Sequence, residues 1–110
     1  MGRGDRPGEL EVLVLASAHR LGGETGTRIY EDIEARTGRD PTVPAVHATL
    51  RRLERKGLVR SRTGEVSPRG GRPQRHYYPT PEGLEALAEA RRVWRSVWSG
   101  LDLPETEVAG

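Results

Sequence analysis

Apolar residues recur at helical spacing in three successive stretches. Residues 8–21, GELEVLVLASAHRL, place Leu10, Leu13, Val14, Ser17, Ala18 and Leu21 on one stripe, which Val12, Leu15 and Ala16 widen. A helix apolar on most sides is covered on most sides, so this one is expected beneath other elements. Its β-branched run also suits a strand, but its length favours a helix, which Gly22 and Gly23 end. Residues 25–37, TGTRIYEDIEART, give a second helix, with Ile29, Tyr30 and Ile33 inward, Glu31, Asp32 and Glu34 outward, and Gly38 as terminator.

The third stretch is the one the others serve. Val43, Val46, Leu50 and Leu53 align on one side of a helix expected over residues 43–56. Thr42 is a good N-cap, Pro44 suits the first turn, and Gly57 stands just past the end. Pro44, Ala45, Ala48, Arg51, Arg52 and Arg55 occupy the opposite side, small near its start and cationic near its end. Such a face fits a DNA major groove, and it equally fits a solvated basic surface. The short RDPT connection makes the second and third helices a helix-turn-helix.

After Gly57 the period changes. Residues 58–63 and 75–78 read as strands, with residues 67–73 as the loop between them. A hairpin directly after such a helix is a wing, and its tip carries Arg69 and Arg72 among glycines, with Arg75 close behind. Small residues around arginines let them reach phosphates or a narrow minor groove. Thr80 as N-cap, Pro81 and Glu82 then open a last helix expected to run to Ser99, with Gly100 as its stop. Leu84, Leu87, Arg91, Trp94, Trp98 and Leu101 form a heptad seam broken only by Arg91, and more apolar surface than one neighbour covers implies dimerisation. Trp94 and Trp98 share a face, as paired packing residues do; the sharper alternative is that Trp98 and its symmetry mate stack on a planar effector near a two-fold axis.

The expected fold is mainly α (α+β), a winged helix-turn-helix with three N-terminal helices, a β-hairpin wing and a C-terminal dimerisation helix. The chain divides into a flexible arm at residues 1–7, the winged unit at 8–79, the dimerisation helix at 80–101 and a disordered tail at 102–110. With 110 residues, 34% of them hydrophobic, and no Phe, one modest core is available, and a partner that buries more surface would help it.

Net charge is only +2, but it is unevenly spread. Residues 39–75 hold ten basic and three acidic side chains, a local charge of +7, whereas the flanking segments carry −2 and −3. Such concentration suits a polyanion, because phosphate contacts release counterions.

Other chemistry finds little support. There is no Cys, and His19, His47 and His76 fall in three different elements without clustered carboxylates, so neither a metal nor another cofactor is expected. Glu9, Glu11, Glu31, Asp32 and Glu34 belong to helix faces expected to be exposed, and Gly70 and Gly71 lack what a phosphate loop requires. An enzyme is therefore not expected. No leader or long apolar run is seen, which points to a cytoplasmic protein rather than a membrane one.

Four stretches, in this order, resemble the PadR family of bacterial winged-helix transcriptional regulators. GELEVLVL at residues 8–15 is similar to the family's opening helix, and TVPAVHATLRRLERKGLV at 42–59 to its recognition helix. GGRPQRHYYPTPEG at 70–83 is similar to its wing and final-helix start, and the arginine-rich helix ending in Trp94 and Trp98 to its dimerisation helix. The resemblance implies a homodimeric repressor on a palindromic double-stranded operator, released by a small aromatic or drug-like effector, in a short form with one C-terminal helix. Three positions depart from the pattern: His47 where Tyr is common, Pro79 where an apolar residue is usual, and Thr25 where an aromatic often stands.

On this reading Thr42, Pro44, Ala45, Ala48 and Arg51 approach base edges, Thr27 and His47 hold phosphates, and Arg69, Arg72 and Arg75 anchor the wing. Leu84, Leu87, Trp94, Trp98 and Leu101 form the dimer contact, and Trp94 and Trp98 meet the effector. The rival reading is a protein-interaction module whose arginines dock on an acidic protein partner.

Overall fold

A computed structural model of the chain describes residues 7–64, 71 and 73–104. Four helices and one hairpin follow in order: α1 Glu9–Leu21, α2 Gly26–Thr37, α3 Val43–Arg55, β1 Val59–Thr63, β2 Arg75–Pro79 and α4 Pro81–Trp98. This is the expected winged helix-turn-helix order. The expected arm except Pro7, the wing arginines Arg69 and Arg72, and the tail beyond Pro104 lie outside the described residues.

The core forms where the stripes of α1, α2 and α3 meet. Val14, Leu15, Ala18, Ile29, Ile33, Val46, Leu50 and Leu53 are buried together, and Leu58, Val59 and Tyr77 close the cluster from the hairpin. Helix α1 lies against α2, α3 and α4, as its broad apolar face requires. Thr49 joins the buried set although it is polar and outside the apolar stripe. It sits between Val46 and Leu53 along α3, and its hydroxyl accepts from Arg52.

The hairpin is antiparallel, with Val59 opposite Pro79 and Thr63 opposite Arg75. Pro79 thus extends β2 one residue beyond the expected end, which a missing N–H permits at a strand terminus. On the other edge, Tyr77 donates its N–H to the Glu24 carbonyl at 3.0 Å, pinning the wing base to the α1–α2 turn. Thr80 joins hairpin to helix: its hydroxyl donates to the Gly57 carbonyl and accepts from the Gly83 N–H. Gly83 lies against the Leu58 carbonyl so closely that a β-carbon there would stand 2.0 Å from the oxygen, so α4 meets the sheet backbone to backbone.

Several expectations need correction. Glu11 is only 5% exposed and is not on a solvated face. Asp32 is half-buried, because it accepts from the Ser17 hydroxyl at 2.8 Å and pairs with Arg20 and Arg36. The α4 seam ends at Trp98: Gly100 turns left-handed at φ 78°, so Leu101 lies beyond the helix rather than on its seam. Leu87 is half-buried and packs against the chain's own core.

Candidate nucleic-acid interface

The turn between α2 and α3 is specified residue by residue. Gly38 ends α2 in the left-handed region, with its N–H on the Glu34 carbonyl. Thr42 starts α3, its hydroxyl accepting from the Ala45 N–H at 3.2 Å. Its own N–H is bound by the Asp40 carboxylate at 3.1 Å, which also accepts from the Tyr30 hydroxyl at 2.8 Å. That acceptor, reinforced by Glu34, pushes the Tyr30 phenol up to about 12, since losing its proton would set a second negative charge beside Asp40. Thr25, which replaces an expected aromatic, caps α2 through the Arg28 N–H.

With Val46, Thr49, Leu50 and Leu53 turned inward, Pro44, Ala48, Arg51 and Arg55 line the opposite side of α3 at spacings of three and four. Pro44, Arg51 and Arg55 are exposed, and Ala45 and Ala48 are half-buried. Thr27 and Thr42 are exposed at the starts of α2 and α3. His47 is half-buried, and its imidazole lies over Gly26: a β-carbon there would come within 2.4 Å of the ring. Glycine at position 26 therefore lets α3 carry a ring at the α2 contact.

The cations differ in what holds them. Arg20 and Arg36 are held by Asp32, Arg39 by Glu9, and Arg28 by Glu31. On α3, Arg52 and the following Lys56 both reach Glu11 of α1, at 3.1 and 3.0 Å. Arg52 was expected on the outer face; the pair takes it instead to the α1 side. Arg51, Arg55 and Arg62 make no ion pair with any described carboxylate. Arg60 lies over the Tyr78 ring at 5.1 Å. Arg75 donates to the Ser61 hydroxyl, which donates to Glu54, both at 2.7 Å, so this wing residue is oriented by the end of α3.

Sequence reasoning missed Glu11. Burial by itself would raise its carboxyl, but the Gly8 N–H, Lys56 and Arg52 outweigh that and hold it below the usual 4.5. Glu11 falls three residues after the N-cap Gly8 and accepts its N–H at 2.8 Å. That capping-box spacing was the available signal. The Tyr30–Asp40 pair left none, because it depends on the path of the turn.

Away from this face, α1 and α4 border an apolar groove of about 520 Å³, with Val12, Ala16, Leu84, Leu87 and Trp94 in its walls and His19, Arg20 and Arg91 at its edge. Trp94 and Trp98 stack with centroids 6.1 Å apart, and they are 49% and 53% exposed. No three His, Asp or Glu side chains among the described residues gather as metal ligands would. No described helix is long and apolar enough to cross a membrane.

Comparison with known proteins adds an independent line. A family model described as the transcriptional regulator PadR-like family matches residues 14–89. Among solved structures, a PadR family transcription regulator from Clostridium difficile superimposes with a TM-score of 0.72 at 22% identity, covering 82% of this chain and 91% of that one. A PadR family transcriptional regulator from Eggerthella lenta gives 0.69 at 26% identity, covering 83% and 76%. A transcriptional regulator from Clostridium thermocellum gives 0.69 at 21%, covering 80% and 82%. No curated protein matches significantly.

Proposed function

Because this chain belongs to the PadR-like family of transcriptional regulators, which are not enzymes, we propose that it is a DNA-binding repressor acting as a homodimer on a palindromic operator. The observation that carries this reading is the division of the cations. Among the described residues, Arg20, Arg36, Arg39, Arg52 and Lys56 are matched to carboxylates, whereas Arg51, Arg55 and Arg62 on α3 and the hairpin form no ion pair, and neither do Arg91 and Arg95 on α4. A protein surface keeps such charges unmatched when the matching anion comes from outside.

In this reading the small side of α3, with Thr42, Pro44, Ala45 and Ala48, comes close to base edges, and Arg51 reaches one of them. Thr27 and His47 contact phosphates beside the groove. Arg75, with Arg69 and Arg72 assigned from the sequence alone, holds the wing on the backbone. Exposed Trp94, Val97 and Trp98 support a two-fold contact through α4, which would bring two copies of α3 to one duplex. The groove beside Trp94 suits a planar aromatic or drug-like effector that releases the operator.

The test is a fluorescence-anisotropy titration at about 0.15 M salt. Duplex from upstream of the chain's own gene is labelled, and unrelated duplex competes. Preference for the upstream duplex is expected, and it should weaken steeply as salt rises. Equal affinity for both duplexes would count against an operator and favour an acidic protein as the partner.

A further inference from the structure

Among the described residues, Thr42 alone combines a side chain with a positive φ, at φ 71° and ψ 145°. A β-branched residue is a genuine outlier there, and such strain persists only where its surroundings over-determine it. The strained residue is the N-cap of α3, so its backbone decides where the helix starts and how its first turn is phased. Three bonds converge on it: Asp40 Oδ1 accepts the Thr42 N–H, Thr42 Oγ1 accepts the Ala45 N–H, and the Thr42 carbonyl accepts the Val46 N–H at 3.1 Å. Asp40 is itself placed by the Tyr30 hydroxyl, ten residues back on α2.

This arrangement has an oddity. Asp40 is an exposed carboxylate on the turn that leads into the most cationic part of the chain, where a negative charge opposes a polyanion. It is explained if Asp40 is there as an acceptor rather than as a charge. We propose that Tyr30 and Asp40 are positioning residues for sequence-selective DNA reading, holding Thr42 in its strained form so that the first turn of α3 meets base edges in one phase. The proposal rests on the DNA-binding reading above. It adds that selectivity, as opposed to affinity, depends on a phenol and a carboxylate that need touch no base.

Tyr30→Phe removes only the hydroxyl. Asp40→Ala removes acceptor and charge, and Asp40→Asn removes the charge but keeps an oxygen that can accept both bonds. Each variant is titrated with upstream and with unrelated duplex, and amide exchange at Ala45 and Val46 is followed in the free protein. Tyr30→Phe is expected to lower the preference for upstream duplex roughly tenfold, a factor equal to about 1.4 kcal/mol, with affinity for unrelated duplex unchanged. Asp40→Ala should lose the same preference while binding unrelated duplex more tightly, and Asp40→Asn should bind unrelated duplex more tightly while keeping the preference. Exchange at Ala45 and Val46 should quicken in Tyr30→Phe and Asp40→Ala and stay slow in Asp40→Asn.

Unchanged exchange in Tyr30→Phe would overturn the latch itself. Quickened exchange with an unaltered preference would overturn its role in reading DNA. A wild-type chain without any preference would overturn the DNA-binding reading and this role with it, while the exchange result would still report whether the latch exists.

Discussion

The Lys56 ammonium sits 3.0 Å from each carboxylate oxygen of Glu11, forty-five residues earlier in the chain. The contact ties the first turn of α1 to the residue that caps α3. Arg52 adds a second contact, so one nearly buried carboxylate locates the C-terminal end of α3.

Glu11→Gln should destabilise the chain by about 2 kcal/mol near neutral pH, the usual worth of a hydrogen bond to a charged group, because Lys56 and Arg52 retain access to water. The sign with pH follows from a carboxyl whose folded value lies below the unfolded one. Its contribution is fully present above the ordinary value of 4.5 and is lost as pH falls through the lower folded value. Denaturant midpoints of wild type and variant should therefore converge in acid. Midpoints that stay equally separated from pH 7 down to acid would contradict the assignment.

Tyr30 carries the opposite sign. Its phenol is raised from 10 to about 12, so its contribution is complete below pH 10 and disappears as pH passes the higher value. A phenolate-absorbance titration should show a tyrosine ionising near 12, and Asp40→Ala, which removes acceptor and charge together, should bring it back toward 10. No change on that substitution would mean that Asp40 is not its partner.

Three arginines within five residues of α3 should behave differently. Arg51→Ala is expected to reduce discrimination between duplexes by about 1–3 kcal/mol, as loss of a base contact does. Arg55→Ala should weaken all duplexes alike and lower the salt slope by about 1. Arg52→Ala should lower the melting temperature and leave the salt slope alone, since its guanidinium is taken up by Glu11. A salt slope that responds to Arg52 as strongly as to Arg55 would defeat this division.

Gly83→Ala places a methyl group 2.0 Å from the Leu58 carbonyl oxygen, a backbone atom that cannot swing aside. A loss of about 3 kcal/mol is expected, at the upper end of overpacking. A near-normal thermal midpoint would show that α4 shifts freely on the sheet.

Trp98→Ser removes the outermost member of the Trp94–Trp98 stack. If that stack lies in a two-fold contact, association should weaken roughly thirtyfold, about 2 kcal/mol, as at an interface hot spot. Sedimentation at several concentrations measures this, and an unchanged dimer would place the contact elsewhere.

How far the sequence carried depended on whether a feature was local. Helix starts at Thr25, Thr42 and Thr80, the terminators Gly38 and Gly57, and the inward stripe from Val46 to Leu53 were legible because caps and periodicity involve residues only a few positions apart. The cationic middle of the chain was legible from counting alone. Which of its cations remain available was not, because Arg51 and Arg52 are indistinguishable in one dimension until α1 comes to lie beside α3. The same holds for Glu11, whose partners arrive from more than forty residues away.

The sequence by itself thus determined the order of helices, the hairpin and the place where positive charge gathers, since each follows from neighbours along the chain. Only the tertiary structure decided that Glu11 of α1 pairs with Arg52 and Lys56, and that Asp40, which accepts from Tyr30, also accepts the Thr42 N–H at a positive φ. Those outcomes depend on angles and distances between packed helices, which short-range spacing does not encode.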